Sequence, residues 1–284
     1  MAKAAEVTHN GGGMIARRDL TVRIAARTDL SPTCFRFILE TAEEIAAVPG
    51  QFGMVTCGAG FDPLLRRALS IAGVARREGV TRVELMVKEV GRGTNLLRHA
   101  TVGSTLRLLA PLGNGFTLAP VEGTCLGLVA GGIGLPPVLF AAERLAARNV
   151  AFDLYVGAAS GGELLDVERC RAAAIAVGGD LVLTTDDGSA GEHGFVTAAL
   201  QRRLDGGQRY GRLLACGPNP MLAALTRLAR ERALAAELSL EEPMACGVGV
   251  CLGCVVELED GRYVASCKEG PVFSVDRLAA RWWP

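Results

Sequence analysis

A surplus of charge of either sign is missing from this sequence: 30 lysines and arginines stand against 30 aspartates and glutamates in 284 residues. Without a basic excess it has no electrostatic footprint for nucleic acid or for an anionic membrane surface. No secretory leader is expected either. Residues 1–18 are alanine- and glycine-rich with scattered charges and hold no continuous apolar core, so a frayed lead-in is expected there. Nor is there an unbroken membrane-length segment. The uncharged stretch 125–142 carries Gly131-Gly-Ile-Gly-Leu-Pro-Pro137 at its centre, which makes a poor spanning helix and a good strand, turn and helix start. No internal repeat or low-complexity linker is visible. With half the residues hydrophobic and 21% charged, bulk disorder is excluded. The expectation is a soluble cytoplasmic protein of two or three small domains.

Cysteine is present but does not count as a disulfide framework. The total is nine, and Cys34, Cys57, Cys125, Cys170 and Cys216 are scattered singly, which fits a reducing compartment. The other four, Cys246, Cys251, Cys254 and Cys267, follow C-x4-C-x2-C-x12-C. Three thiolates in one loop can wrap an inorganic cluster while a fourth arrives from elsewhere, the pattern of a [2Fe-2S] site. Zinc is the rival ligand, although its ribbons usually pair two short C-x2-C hairpins. Gly247, Gly249 and Gly253 are expected to give the loop positive φ and to bring N–H groups to the sulfurs.

Upstream the chain changes character once. Residues 20–119 are short alternating runs broken by glycine and proline, the signature of an antiparallel barrel or sandwich, with one helical piece at 93–99. After Pro120 strands alternate with helices, which implies a parallel doubly wound sheet. The last fifty residues or so hold the cysteine loop and a hairpin, 255–258 with 263–266. The expected domains are 16–120, 121–236 and 237–284.

Three motifs carry chemistry. Gly131, Gly132 and Gly134 follow a strand and open a helix, where backbone can approach a pyrophosphate; an ordinary tight turn is the alternative. Cys216-Gly-Pro-Asn-Pro-Met221 ends a later strand, where ligands of open α/β sheets bind. Its thiol lies either beside a nicotinamide or buried as a small apolar group. Arg66-Arg-Ala-Leu-Ser70 and Gly91-Arg-Gly-Thr94 combine guanidinium, hydroxyls and a helix start, donors suited to a flavin's phosphates, or else two surface turns.

Taken in order, Arg-x-x-Ser, Gly-x-Gly-Thr, Pro-Leu-Gly-Asn-Gly-Phe, Gly-Gly-x-Gly-x-x-Pro, Cys-Gly-Pro-x-Pro-Met and the cysteine pattern resemble the electron-transfer subunit family of NAD-dependent dihydroorotate dehydrogenase, within the ferredoxin reductase superfamily. The resemblance implies a mixed fold: an antiparallel β-barrel FAD domain, an α/β NAD(H) domain and a small C-terminal [2Fe-2S] domain. It implies an oxidoreductase subunit of pyrimidine biosynthesis. Its partner would be an FMN-containing catalytic subunit, in a heterotetramer. By position, Arg67 and Ser70 would hold the flavin ribityl and phosphate region and Leu69 its ring. Gly93 and Thr94 would bind the pyrophosphate. Gly131, Gly132 and Gly134 would face the NAD phosphates, and Cys216, Gly217 and Pro218 would line the nicotinamide pocket. Asp186 and Asp187 either line the same cleft or form a turn. Ala68 departs from the family's frequent proline. Carboxylates without arginine in residues 158–166 favour NADH over NADPH. Two other readings remain: a diaphorase subunit of a ferredoxin or hydrogenase complex, and a zinc-stabilised scaffold that has lost its flavin.

Overall fold

A computed structural model describes residues 17–58, 60, 62–280 and 282; the lead-in expected at residues 1–16 lies outside these. Six antiparallel strands close a barrel: β1 (Arg18–Asp29), β2 (Cys34–Thr41), β3 (Phe52–Val55), β4 (Arg67–Arg77), β5 (Val80–Lys88) and β6 (Thr105–Leu112), in the order β1-β2-β5-β4-β3-β6. Alternation drives it. Phe35, Phe37 and Leu39 of β2 and Val83, Leu85 and Val87 of β5 are fully buried, and the residues between them point to the other face, as strand alternation requires. Helix α1 (Arg92–Arg98) joins β5 to β6 and adds Leu97 to the barrel core.

The second half is a seven-stranded sheet. Its elements are β7 (Cys125–Gly131), α2 (Leu135–Ala146), β8 (Phe152–Ala158), α3 (Val167–Ile175), β9 (Leu181–Thr185), β10 (Glu192–His193), α4 (Val196–Asp205), β11 (Tyr210–Cys216), α5 (Asn219–Glu231) and β12 (Ala236–Ser239). The hairpin β13 (Val255–Glu257) and β14 (Tyr263–Ala265) follows, then α6 (Ser266–Glu269) and β15 (Val272–Ser274). The sheet order is β10-β9-β8-β7-β11-β12-β15, parallel throughout except for the last pair.

Strands β10, β12 and β15 have two to four residues each, too short for periodicity to reveal. Two of them matter for organisation. The boundary expected between residues 236 and 237 falls inside β12, and β15 returns from beyond the cysteine loop to pair with it. The cysteine segment is therefore an excursion from the sheet, tied to it at both ends.

The barrel and the sheet share core. Phe140 of α2 packs with the barrel interior, while Ala72 and Met86 of the barrel pack with the sheet. A half-buried ion network seals the junction: Arg36 Nη1 lies 2.8 Å from Asp166, and Arg169 reaches Glu84 at 2.6 Å, Glu143 at 2.9 Å and Asp166 at 3.0 Å. Among the described residues no helix is long and apolar enough to cross a membrane.

Candidate functional site

Strand register brings the separate motifs together. Cys216 sits level with Ala130 on β7 and with Ser239 on β12, and Ser239 is level with Val272 on β15. The residues beyond these positions, the glycine turn, Gly217, Leu240 to Met244 and Pro271, are thereby gathered at one sheet end. A cleft of about 420 Å³ opens there, bounded on the barrel side by Phe52, Arg67, Leu69, Ser70, Lys88 and Thr94 and on the sheet side by Gly134, Cys216, Ser239 and Glu241. This is the crevice beyond the strand carboxyl ends where ligands of open α/β sheets bind.

On the barrel wall Arg67 lies across α1. A Cβ on Gly93 would stand 2.6 Å from the Arg67 guanidinium carbon, so the absence of a side chain there makes room for the arginine. The Thr94 hydroxyl accepts from the N–H groups of Val90 and Gly91 at 2.9 and 3.1 Å and donates to the Gly91 carbonyl at 2.9 Å. It fixes the turn that presents Gly93. Arg66 also borders the cleft, with its guanidinium engaged in two 2.9 Å bonds to Asp19. Hydrogen bonding to Arg66, and also to Arg107, holds the Asp19 carboxyl down to about 2 despite its partial burial.

Gly131, Gly132, Gly217 and Pro218 lie beside the sheet wall and are not themselves among the residues bounding the cleft; Gly132 has φ +51 with open space next to it, room for a phosphate group to approach the backbone. Gly131 and Gly217 pack on each other's strand end through Met221, with Pro218 against Gly131. Cys216 is buried; burial pushes its thiol up to about 12, offset in part by a hydrogen bond with Ser239 and reinforced by the Glu241 carboxylate. It is a neutral thiol at the cleft wall. The residues at this wall fit a nicotinamide dinucleotide, and those across the cleft fit a flavin.

Asp187 is a turn residue: its carboxylate accepts from the Ser189 N–H at 2.9 Å and hydroxyl at 2.6 Å, and it is not among the residues bounding the cleft. Asp166, one of the carboxylates expected to disfavour NADPH, is instead held by Arg36 and Arg169.

The cysteine loop fits a two-iron cluster. Sulfurs accept backbone N–H groups throughout it: Cys246 from Val248 and Cys251 at 3.4 and 3.5 Å, Cys267 from Gly249 at 3.1 Å, Cys254 from Cys267 at 3.4 Å. Although burial raises the Cys246 thiol, hydrogen bonds from Cys251 and Val248 win and lower it to about 6. Two of these bonds join cysteines to each other, the Cys251 N–H to the Cys246 sulfur and the Cys267 N–H to the Cys254 sulfur. Among the described residues no three such side chains converge as a shell for one ion. Gly247 and Gly249 take positive φ as expected, whereas Gly253 does not; Leu252, at φ 57, takes that conformation instead. Nothing in the sequence marks Leu252, a residue type that rarely enters this region.

The buried pair belongs to the barrel as much as to the loop. Cys254 and Cys267 share one apolar cluster with Phe52, Met54 and Leu112. Since Met54 pairs with Ala68 and Phe52 with Ser70 across β3 and β4, one strand separates the flavin motif from the cluster ligands. Sequence reasoning missed Lys88, Ser239, Glu241 and Pro271 on the cleft wall, because only register places them there.

The family described as the iron–sulfur cluster binding domain of dihydroorotate dehydrogenase B matches residues 241–279. The electron transfer subunit of dihydroorotate dehydrogenase B (NAD(+)) from Desulforamulus reducens is 38% identical over 230 residues, covering 80% of this chain and 85% of that one. Its counterpart from Geobacillus kaustophilus is 37% identical over 268 residues, 92% and 97% of the two chains. Among solved structures, the NADH-dependent reduced ferredoxin-NADP oxidoreductase studied for flavin-based electron bifurcation matches with a TM-score of 0.78 and 27% identity, over 90% of this chain and 88% of that one. A glycine turn and a thiol facing a flavin-type barrel, with the four cysteines behind it, agree with those likenesses, and the chain belongs to the family of electron transfer subunits of NAD-dependent dihydroorotate dehydrogenase B.

Proposed function

We propose that this chain carries electrons between NAD(H) and an FMN-containing catalytic dihydroorotate dehydrogenase subunit, by way of FAD and a [2Fe-2S] cluster, in a cytoplasmic heterotetramer of two carriers and two catalytic chains. The observation that carries the reading is the shared cleft: nicotinamide-type and flavin-type walls face each other, and the buried cysteine pair packs one strand behind the flavin wall. FAD, when bound, converts between two-electron hydride chemistry and single electrons.

Each wall has its own task. Arg67, placed by Gly93 and Thr94, offers a fixed fork of donors to phosphate. Leu69 and Ser70 bound the flavin ring and ribityl region. Gly131, Gly132 and Gly134 let a pyrophosphate approach the start of α2. Cys216, neutral and buried, gives the nicotinamide an uncharged surface, with Gly217 and Pro218 completing that end. Cys246, Cys251, Cys254 and Cys267 would hold the cluster. No acid–base group for the pyrimidine is needed on this chain, since that chemistry falls to the catalytic subunit.

A docking face for that subunit is at hand. Val250 and Leu252, 79% and 61% exposed, flank Cys251, the exposed cysteine of the four. Contiguous exposed apolar groups of this kind mark interaction sites. An anaerobic NADH titration followed by absorbance and low-temperature EPR tests the relay. Bleaching of a flavin band together with a rhombic S = 1/2 signal is expected; a colourless zinc protein without iron would overturn it.

A further inference from the structure

The Pro-Leu-Gly-Asn-Gly-Phe motif, Pro111 to Phe116, has no part in either cleft wall, yet Asn114 ties it to the segment after Cys267 through four hydrogen bonds. Its N–H donates to the Gly270 carbonyl at 2.7 Å. Its side-chain amide donates to the carbonyls of Glu269 and Val272, both at 3.0 Å, and its Oδ1 accepts from the Val272 N–H at 3.0 Å. One asparagine thus fills both polar edges of the segment that follows Cys267.

The other side of the motif is fixed to the flavin wall. Gln51, 4% exposed, donates to the Gly113 carbonyl at 2.8 Å, and its own carbonyl accepts from Ile71, the residue after Ser70. Gly113, at φ +70, lies so close to the cluster segment that a Cβ would stand 2.5 Å from Pro271 Cδ. Phe52 and Pro271, the neighbours of the two ends of this clamp, both line the cleft. A continuous chain of contacts therefore runs from Ile71 through Gln51, Gly113 and Asn114 to Gly270, whose N–H donates to the carbonyl of Ser266, the residue before Cys267.

We propose that Asn114 is a positioning residue for electron transfer, holding the Cys267 segment at a fixed separation from the flavin wall; this rests on the relay reading above. The transfer it would serve moves one electron between bound flavin and cluster, one oxidised as the other is reduced, and makes or breaks no bond. Only asparagine chemistry satisfies the site, because the two carbonyls need donors and the Val272 N–H needs an acceptor. Aspartate at the same position keeps the acceptor and loses both donors.

The test uses the full chain carrying FAD and cluster, mixed anaerobically with NADH, with flavin bleaching followed optically and the cluster EPR signal by freeze-quench. In N114A, flavin bleaching is expected at the wild-type rate. The cluster signal should appear roughly tenfold more slowly, with iron content and both midpoint potentials unchanged. N114D, isosteric with the native residue, serves if N114A fails to retain iron, and the same delay is expected of it. A wild-type rate of signal growth in either loaded variant overturns the role of Asn114. A wild-type protein whose flavin bleaches without any cluster signal overturns the relay reading itself, a result distinct from equal rates.

Discussion

Gly134 and Cys216 meet backbone to backbone: a Cβ on Gly134 would stand 2.5 Å from the Gly217 nitrogen and nearer still to the Cys216 carbonyl. Glycine is required here because the obstacle is main chain, which cannot swing aside. Gly134→Ala should force the start of α2 away from the end of β11, costing about 1–3 kcal/mol as overpacking does. We expect a raised KM for NADH with bound flavin retained, read from steady-state diaphorase kinetics and the flavin spectrum. An unchanged KM would refute the assignment of this turn to the dinucleotide.

Gly93 and Arg67 form the matching pair on the barrel. Gly93→Ala should displace the guanidinium and loosen FAD, and Arg67→Ala should remove the same donors outright. Loss of a charge-assisted bond of this kind is worth about 1.5–3 kcal/mol, roughly a tenfold to hundredfold weaker flavin affinity. Fluorescence titration of FAD into the flavin-stripped protein measures it; equal affinity in all three proteins would place the flavin phosphates elsewhere.

Cys251 is exposed at the tip of the cluster loop, and Cys251→Ser should destabilise or abolish the cluster without disturbing the cleft. NADH should still bleach the flavin while the EPR signal and the reduction of added catalytic subunit disappear. Continued reduction of that partner would sink the assignment.

Leu252 offers a separate handle on the partner. Leu252→Asp puts a charge into the exposed apolar face and, with no buried contact to break, should leave NADH-driven cluster reduction intact. Co-purification with the catalytic subunit should weaken; undiminished co-purification would move the interface elsewhere on the surface.

Asp19 supplies a pH dependence. Its folded carboxyl titrates near 2 rather than at the ordinary 3.8, principally through Arg66. A depressed folded pKa contributes stability that is present above the unfolded value and is lost as pH falls through the folded one. Acid unfolding of the wild type should therefore include a component between pH 3.8 and about 2 that Asp19→Asn lacks. Parallel acid denaturation curves for the two proteins would contradict this.

Much of the site was legible because its signals are local. The three clustered cysteines, the glycine turn after β7 and the Cys-Gly-Pro step after β11 each report geometry within a dozen residues, and the last two fall at strand ends as the pattern implied. The barrel strands were equally legible, since Phe35, Phe37 and Leu39 alternate with outward residues over a full strand. Strands β12 and β15 were not, because three or four residues carry no period and their stability comes from pairing with each other and with β11.

By itself, then, the sequence determined the chemistry on offer: three thiolates in one loop with a fourth downstream, a phosphate-type glycine turn, a flavin-type arginine motif and the two architectures that carry them. Tertiary structure alone decided how these meet. Register set Cys216 level with Ser239 and so brought Glu241 and Pro271 to the cleft, and packing of Met54 and Leu112 against Cys254 and Cys267 put the cysteine loop behind the flavin wall. The reason is physical: local patterns fix what a segment can form, while separations between segments are set by burial and hydrogen bonds between residues far apart in the chain, as Asn114 and Val272 show.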